Sequence, residues 1–214
     1  MVNSETERLL AAALDIGITL NDHQLKQLLS YLDLLEKWNH AYNLTAVRSR
    51  FEMLGRHVIE SLAISPFITG NQVVDVGSGA GLPGIPLAIA NPSVQYTLLD
   101  SNGKKSRFLS EVKRVLKLAN VEIETVRVES WLPTKRFDSV VTRAFADLAT
   151  TLASVDHVLS DQGMVYAMKT QQAQNEIASL PDETRQVTAR NINVPGRDWS
   201  FQLLAVLPHV EAPL

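Results

Sequence analysis

The chain has 214 residues, 45% hydrophobic and 20% charged, with a formal net charge of −3, which suits one sizeable globular α/β domain. Cysteine is absent, so disulfides, thiol nucleophiles, thiolate zinc sites and iron–sulfur clusters are excluded, and a reducing, cytoplasmic setting is expected. The histidines (His23, His40, His57, His157 and His209) are scattered without metal-ligand spacing, so no metal is expected.

The first residues, Met-Val-Asn-Ser-Glu-Thr-Glu, lack the basic start of a signal peptide. The apolar run from Leu9 to Leu20 is interrupted by Asp15 and Gly17 and is too short to cross a bilayer, so no membrane contact is expected. Ser4 and Glu7 form a capping box that predicts a first helix ending at Gly17. Asn21 with Gln24 predicts a second helix, in which Leu25, Leu28, Leu29, Leu32, Leu35 and Trp38 share one face. A third is expected over 51–64, with Leu54, Val58 and Leu62 inward and Pro66 as its stop. Residues 1–66 therefore read as a helical cap packed on a catalytic domain of residues 67–214, with no linker between them.

The stretch Gln-Val-Val-Asp-Val-Gly-Ser-Gly-Ala-Gly-Leu-Pro-Gly, 72–84, is a short apolar strand running into a glycine-rich turn. Gly77, Gly79, Gly81 and Gly84 let the backbone turn sharply and approach a ligand, and Ile85, Leu87, Ala88 and Ile89 predict a helix behind them. Two cofactors fit such a loop. Residues 79–84 match the dinucleotide pattern G-x-G-x-x-G, while Asp75-x-Gly77-x-Gly79-x-Gly81 is the arrangement typical of S-adenosylmethionine methyltransferases. The dinucleotide pattern needs its first glycine directly after the strand, and here it starts late. Asp75 would also repel a diphosphate and attract the ammonium of a methionine moiety, directly or through water. Asp100, about 20 residues on at the end of the next strand, is placed to accept hydrogen bonds from a ribose, which both cofactors carry.

Beyond the loop, strands are expected near 72–76, 94–99, 121–126, 137–142 and 162–168, alternating with helices near 84–90, 103–118, 147–159 and 171–179. That alternation predicts a doubly wound, mostly parallel sheet. Two further strand-like runs, 185–194 and 200–207, flank Pro195-Gly196 and predict a closing hairpin with an antiparallel last strand. A nicotinamide dehydrogenase would need a further substrate domain for which no length remains. Between Ser101 and Leu118, Lys104, Lys105, Arg107, Lys113, Arg114 and Lys117 face the single Glu111, and Arg48, Arg50, Arg56 and His57 precede the glycine loop. Such stripes can guide a phosphate backbone, although a solvated helix face has the same composition.

Several motifs line up in order: Trp38-Asn39-x-x-x-Asn43-Leu44-Thr45, Arg56-His57-x-x-x-Ser61-Leu62, the loop from Asp75 to Leu87, Leu99-Asp100-Ser101 with Lys104-Lys105 and Phe108-Leu109, Arg127-Val128-Glu129, and Thr142-Arg143-Ala144. Together they closely resemble the bacterial small-subunit ribosomal RNA guanine-N7 methyltransferases, once called glucose-inhibited division protein B. The resemblance runs from the helical cap to at least Lys169. One departure is Glu60, where the family more often carries Asp.

The resemblance implies a Rossmann-like class I S-adenosylmethionine methyltransferase, its seven-stranded, mostly parallel sheet preceded by a helical cap. It implies S-adenosyl-L-methionine as cofactor and 16S ribosomal RNA in the small subunit as partner. Gly77 and Leu82, in the loop with Asp75 and Gly79, would border the methionine part. Asp100 would take the ribose, Val128 and Glu129 would flank the adenine, and Arg143 would stand at the mouth near the transferred methyl. Arg48, Arg50, Arg56, Lys104, Lys105 and Arg107 would contact RNA. No nucleophile–base constellation is visible, so no proton-transferring residue is assigned, and a monomer is expected. On the residues alone, a small-molecule methyltransferase and a non-catalytic cofactor- and RNA-binding module stay open.

Overall fold

The computed structural model describes residues 4–170, 173–180 and 186–207. Helices α1 (Ser4–Ile16) and α2 (Asp22–Tyr42) open the chain. The capping box at α2 forms as the sequence predicts: Gln24 N donates to Asn21 Oδ1, and Asn21 N to Gln24 Oε1, both at 2.9 Å. Gln24 Nε2 also donates to the carbonyls of Ile89 and Ala90, so one cap satisfies the end of a second helix.

The third helix of the cap is not uniform. It runs as α3 (Arg50–Met53), a π-helical turn (Leu54–Ile59) and α4 (Glu60–Ala63). Such widened turns concentrate at functional sites, and this one presents Arg56 and His57. The loop before it is tied down by Asn39 Oδ1, which accepts from Thr45 N at 2.9 Å, and by Thr45 Oγ1, 2.8 Å from His57 Nε2.

Strands β1 (Gln72–Val76), β2 (Gln95–Leu99), β3 (Val121–Glu124), β4 (Phe137–Arg143), β5 (Leu159–Lys169), β6 (Val187–Asn193) and β7 (Ser200–Val206) form one sheet in the order β3-β2-β1-β4-β5-β7-β6. The pairs among β1 to β5 are parallel, and β7 runs antiparallel to both neighbours. The last strand is thus inserted between β5 and β6, leaving β6 as the edge. Helices α5 (Gly84–Ala90), α6 (Gly103–Leu116), α7 (Leu148–Val155) and α8 (Ala173–Ala178) lie between β1 and β2, β2 and β3, β4 and β5, and β5 and β6, while β3 passes to β4 through a 3-10 turn (Val128–Ser130). The expected helix over 147–159 is shorter than its pattern: it gives way at Asp156 to a tight turn that feeds β5 three residues before the predicted start.

The central strands β1, β2 and β4 are buried on both faces, as the interior of a parallel sheet requires, whereas the edge strand β6 is largely exposed. Val73, Val141, Tyr166 and Leu203 face a core that also holds Leu28, Leu32 and Leu62 of the cap with Ile85 and Phe108, whereas Val74, Val76, Val140 and Leu204 face α7. The cap and the sheet therefore share one hydrophobic core. Removing Gln24, which leaves two helix-end carbonyls without their donor, is expected to cost about 2 kcal/mol. Asn21→Ala, which loses only the cap, should cost about 1 kcal/mol; urea unfolding of the two variants checks that order.

Candidate cofactor and substrate site

At the end of β1 the backbone turns through Gly77, Gly79 and Gly81, all at positive φ. At Gly77 (φ +74°) a Cβ would lie 2.8 Å from Phe145 Cδ2, so a side chain there is opposed by both the backbone and a ring. The turn is anchored from several directions. Gly77 N and Ser78 N both donate to Leu99 O on β2, at 2.8 and 3.0 Å. Gly79 N donates to Asp100 Oδ2 at 2.9 Å, Gly84 N to Asp75 Oδ2 at 2.9 Å, and the Tyr31 hydroxyl of α2 to Ala80 O at 2.7 Å.

A cavity of about 250 Å³ opens beside this turn, lined by Gly77, Leu99–Ser101, Lys105, Val126–Glu129, Ala144 and Phe145. It lies at the carboxyl ends of β1, β2 and β4, where the strand order reverses and open α/β sheets hold their ligands. The Asp100 carboxylate is oriented by Gly79 N, by Asn102 N at 2.8 Å and by Lys105 Nζ at 3.4 Å. The fit to a nucleoside is good: a fixed carboxylate for hydroxyls, apolar walls from Leu99 and Val126, and a backbone free of Cβ at Gly77.

Comparisons with known proteins place the chain in a family. The family described as rRNA small subunit methyltransferase G matches residues 24–200. Ribosomal RNA small subunit methyltransferase G of Shigella flexneri and that of Escherichia coli (strain K12 / DH10B) are each 45% identical over 192 residues, 90% of this chain and 93% of theirs. The chain belongs to the rRNA small subunit methyltransferase G family. Its fold is also that of more distant solved methyltransferases. The ribosomal protein L11 methylase of Lactobacillus delbrueckii subsp. bulgaricus superposes with a TM-score of 0.54 at 15% identity, covering 71% of this chain and 79% of that one. M. jannaschii TYW2 in complex with AdoMet does so with 0.51 at 17% identity, covering 72% and 76%.

In this member of the methyltransferase G family, Gly77, Asp100, Val128 and Glu129 line the cavity. Asp75 and Leu82 are buried beneath the turn rather than on the cavity wall. Gly79 touches the wall through its bond to Asp100. Arg143 stands at the end of β4, one residue before the wall, held by the Arg56 carbonyl (Nη1 to O, 2.7 Å) and by Glu60 (Nη2 to Oε2, 3.3 Å).

The basic residues separate into distinct roles. Lys105 turns into the cavity onto Asp100, while Lys104 and Arg107 are exposed on the first two turns of α6. Arg48 is exposed and donates to Asn43 Oδ1 at 2.9 Å. Arg50 is matched within the cap by Glu5, Asp33 and Glu36, all within 3.3 Å, which removes it from the groups free to meet RNA. Tyr31 and Phe145 are site residues that sequence reasoning did not single out, and Ala144 stood there only as the end of the Thr142-Arg143-Ala144 motif. Ala144 takes a left-handed φ of 52°, uncommon for a residue with a side chain, and nothing in its identity announces it.

Burial shifts two groups beneath the site in opposite senses. It raises Asp75 from 3.8 to about 7, against the pull of the Gly84 and Ser78 donors. It lowers His57 from 6.5 to about 4, with the Arg143 charge adding to the effect. A carboxyl raised on folding adds stability below its unfolded value and loses it as pH climbs from 3.8 to about 7. A histidine lowered on folding loses stability as pH falls from 6.5 to about 4. Relative to the native chain, Asp75→Asn should therefore gain stability with rising pH across the first window, by at most about 1.4 kcal/mol per pH unit. His57→Gln should gain with falling pH across the second. Urea unfolding at a series of pH values reads both, and a pH-independent difference would remove the assigned shift.

Proposed function

We propose that the protein transfers the methyl group of S-adenosylmethionine to N7 of a guanine in 16S ribosomal RNA of the small subunit. The observation that carries this is the cavity that brings the glycine turn, Asp100 and the 126–129 loop together in a chain of the methyltransferase G family. When bound, S-adenosylmethionine supplies a methyl carbon made electrophilic by its sulfonium. Asp100 accepts from the ribose hydroxyls, and Val128 and Glu129 flank the adenine. Gly77 borders the methionine part, with Leu82 supporting the turn from beneath. Asp75 Oδ1, buried without a hydrogen-bond partner under the turn, is held toward its protonated form by burial, and an ammonium in the cavity would draw it toward the ionised one.

Guanine N7 carries an in-plane lone pair and no proton, so no base has to remove one. The protein's task is proximity and orientation. Arg143, its guanidinium fixed by Glu60 and the Arg56 carbonyl, positions a phosphate or base edge at the mouth. The Phe145 ring on the cavity wall offers a π face to a base that becomes positively charged on methylation. The major groove of an A-form helix is too deep and narrow for side chains to reach N7, so the target guanine lies in a loop or an opened segment. Lys104, Arg107, Arg48 and Arg56 meet the RNA backbone near this entrance, and the protein acts as a monomer in the cytoplasm. Among the described residues no helix is long and apolar enough to cross a membrane, and no group of three or more His, Asp or Glu is disposed to hold a metal ion.

Labelled-methyl transfer from S-adenosylmethionine to small subunits, and to naked RNA, from cells lacking the protein tests the proposal. Label confined to one guanine N7 is expected, and no label despite measurable cofactor binding would refute it. Asp100→Asn should weaken S-adenosylhomocysteine binding about tenfold or more, the scale of a lost charged hydrogen bond, while leaving RNA affinity unchanged. Calorimetry and a filter-binding assay separate the two.

A further inference from the structure

The turn between β6 and β7 folds back onto the helical cap and builds an alternating row of guanidinium groups and rings. Arg8 of α1 lies 3.9 Å from the centroid of the Phe51 ring, and Arg197 of the turn lies 4.1 Å from the same ring. Arg197 is also 5.0 Å from the Trp199 ring, and Arg56 is 4.7 Å from it. The row thus reads Arg8, Phe51, Arg197, Trp199, Arg56, drawn from three separate parts of the chain. Gly55 in the π-helical turn leaves room for it, since a Cβ there would sit 2.5 Å from Arg197 Nε.

Phe51 is 56% exposed, although an aromatic ring on a cap that shares the main core has every packing reason to be inside. The acidic groups facing the row include Glu52, 3.5 Å from Arg56, Asp198 beside Arg197, and Glu60, which feels the charges of Arg56 and Arg197. Burial and the charges of Arg8 and Arg56 lower the pKa of Arg197, the mark of cations crowded together. The row ends at the reaction mouth: Trp199 Nε1 donates to Glu60 Oε1 at 2.7 Å, and Glu60 Oε2 pairs with Arg143.

Resting on the function proposed above, we infer that this arginine–aromatic row is the docking surface for an unpaired RNA strand flanking the target guanine. Guanidinium groups meet its phosphates, and the guanidinium planes that the rings hold flat stack on splayed bases. The chemistry matches a single strand better than a duplex, because a duplex offers no base faces to the planes of Arg8 and Arg56. It is continuous with Arg143, so a strand lying along the row delivers its next base to the cavity.

The test measures binding of deproteinised small-subunit RNA and of a mixed-sequence single-stranded RNA across a salt series, with S-adenosylhomocysteine affinity as the control. Arg8→Gln with Arg197→Gln should reduce the slope of log affinity against log salt by about 1.4, two single-strand phosphate contacts, with cofactor affinity unchanged. Phe51→Leu keeps an apolar side chain but removes the ring, and should weaken single-strand binding about fivefold or more at every salt concentration without altering the slope. Arg8→Gln alone, at the far end of the row, should show part of the slope change without disturbing the hairpin turn. Native protein that binds RNA while these variants match its affinity and slope overturns the docking surface and leaves the proposed activity standing. RNA and cofactor affinities that fall in parallel assign the row to holding the fold, which also overturns it. Native protein that neither binds RNA nor methylates small subunits removes the function and the docking surface together.

Discussion

A turn with glycine at 77, 79, 81 and 84 gives up more backbone freedom on ordering than a turn of any other residues, yet a cofactor cradle is useful only if it is already ordered. The fold meets that constraint with bonds from three directions. Leu99 and Asp100 of the neighbouring strand region hold Gly77, Ser78 and Gly79; Asp75 holds Gly84 from below; Tyr31 holds Ala80 from the cap. Each anchor sits on an element whose own place is set by core packing. The glycines supply close approach, and the anchors supply the order that glycine alone cannot.

The Tyr31 bond also changes the standing of the helical cap. α2 is no mere cover for the sheet, since its buried tyrosine fixes one side of the cradle. A second link runs from the π-helical turn to β4, where the Arg56 carbonyl and Glu60 hold Arg143 at the mouth. His57, buried beside Thr45 and near the Arg143 charge, stays neutral there. Glu60 reaches both Arg143 and Trp199. Cap, cradle and mouth are therefore joined by the Tyr31 and Arg143 contacts as well as by the shared core.

Much of this was legible in the sequence because it is written locally. The Asn21–Gln24 cap, the strand–glycine turn–helix unit and Asp100 at the end of the next strand each depend on residues a few positions apart or on a regular βαβ spacing. What escaped depends on contacts between distant residues. Arg50 belongs to the same basic group as Arg48 and Arg56, but helices α1 and α2 bring three carboxylates to it. Lys105 follows Lys104 in sequence, yet a helical step of 100° turns one into the cavity and leaves the other in solvent. The uneven third cap helix was invisible because a π-helical turn has the same apolar pattern as an α-helix over so short a run. The arginine–aromatic row joins residues some 140 positions apart, and only the hairpin's return onto the cap assembles it.

The central claim is that the cofactor lies against the anchored glycine turn and that the cap shares in holding it. Amide hydrogen exchange with and without S-adenosylhomocysteine tests this most directly, because it reports on each segment without altering any residue. Slowing is expected over 77–84, 99–105, 126–129 and 143–145, extending to the Tyr31 turn of α2, with the far end of α6 at 113–116 unchanged. Protection confined to that end of α6, or a glycine turn that exchanges at the same rate in both states, would contradict it.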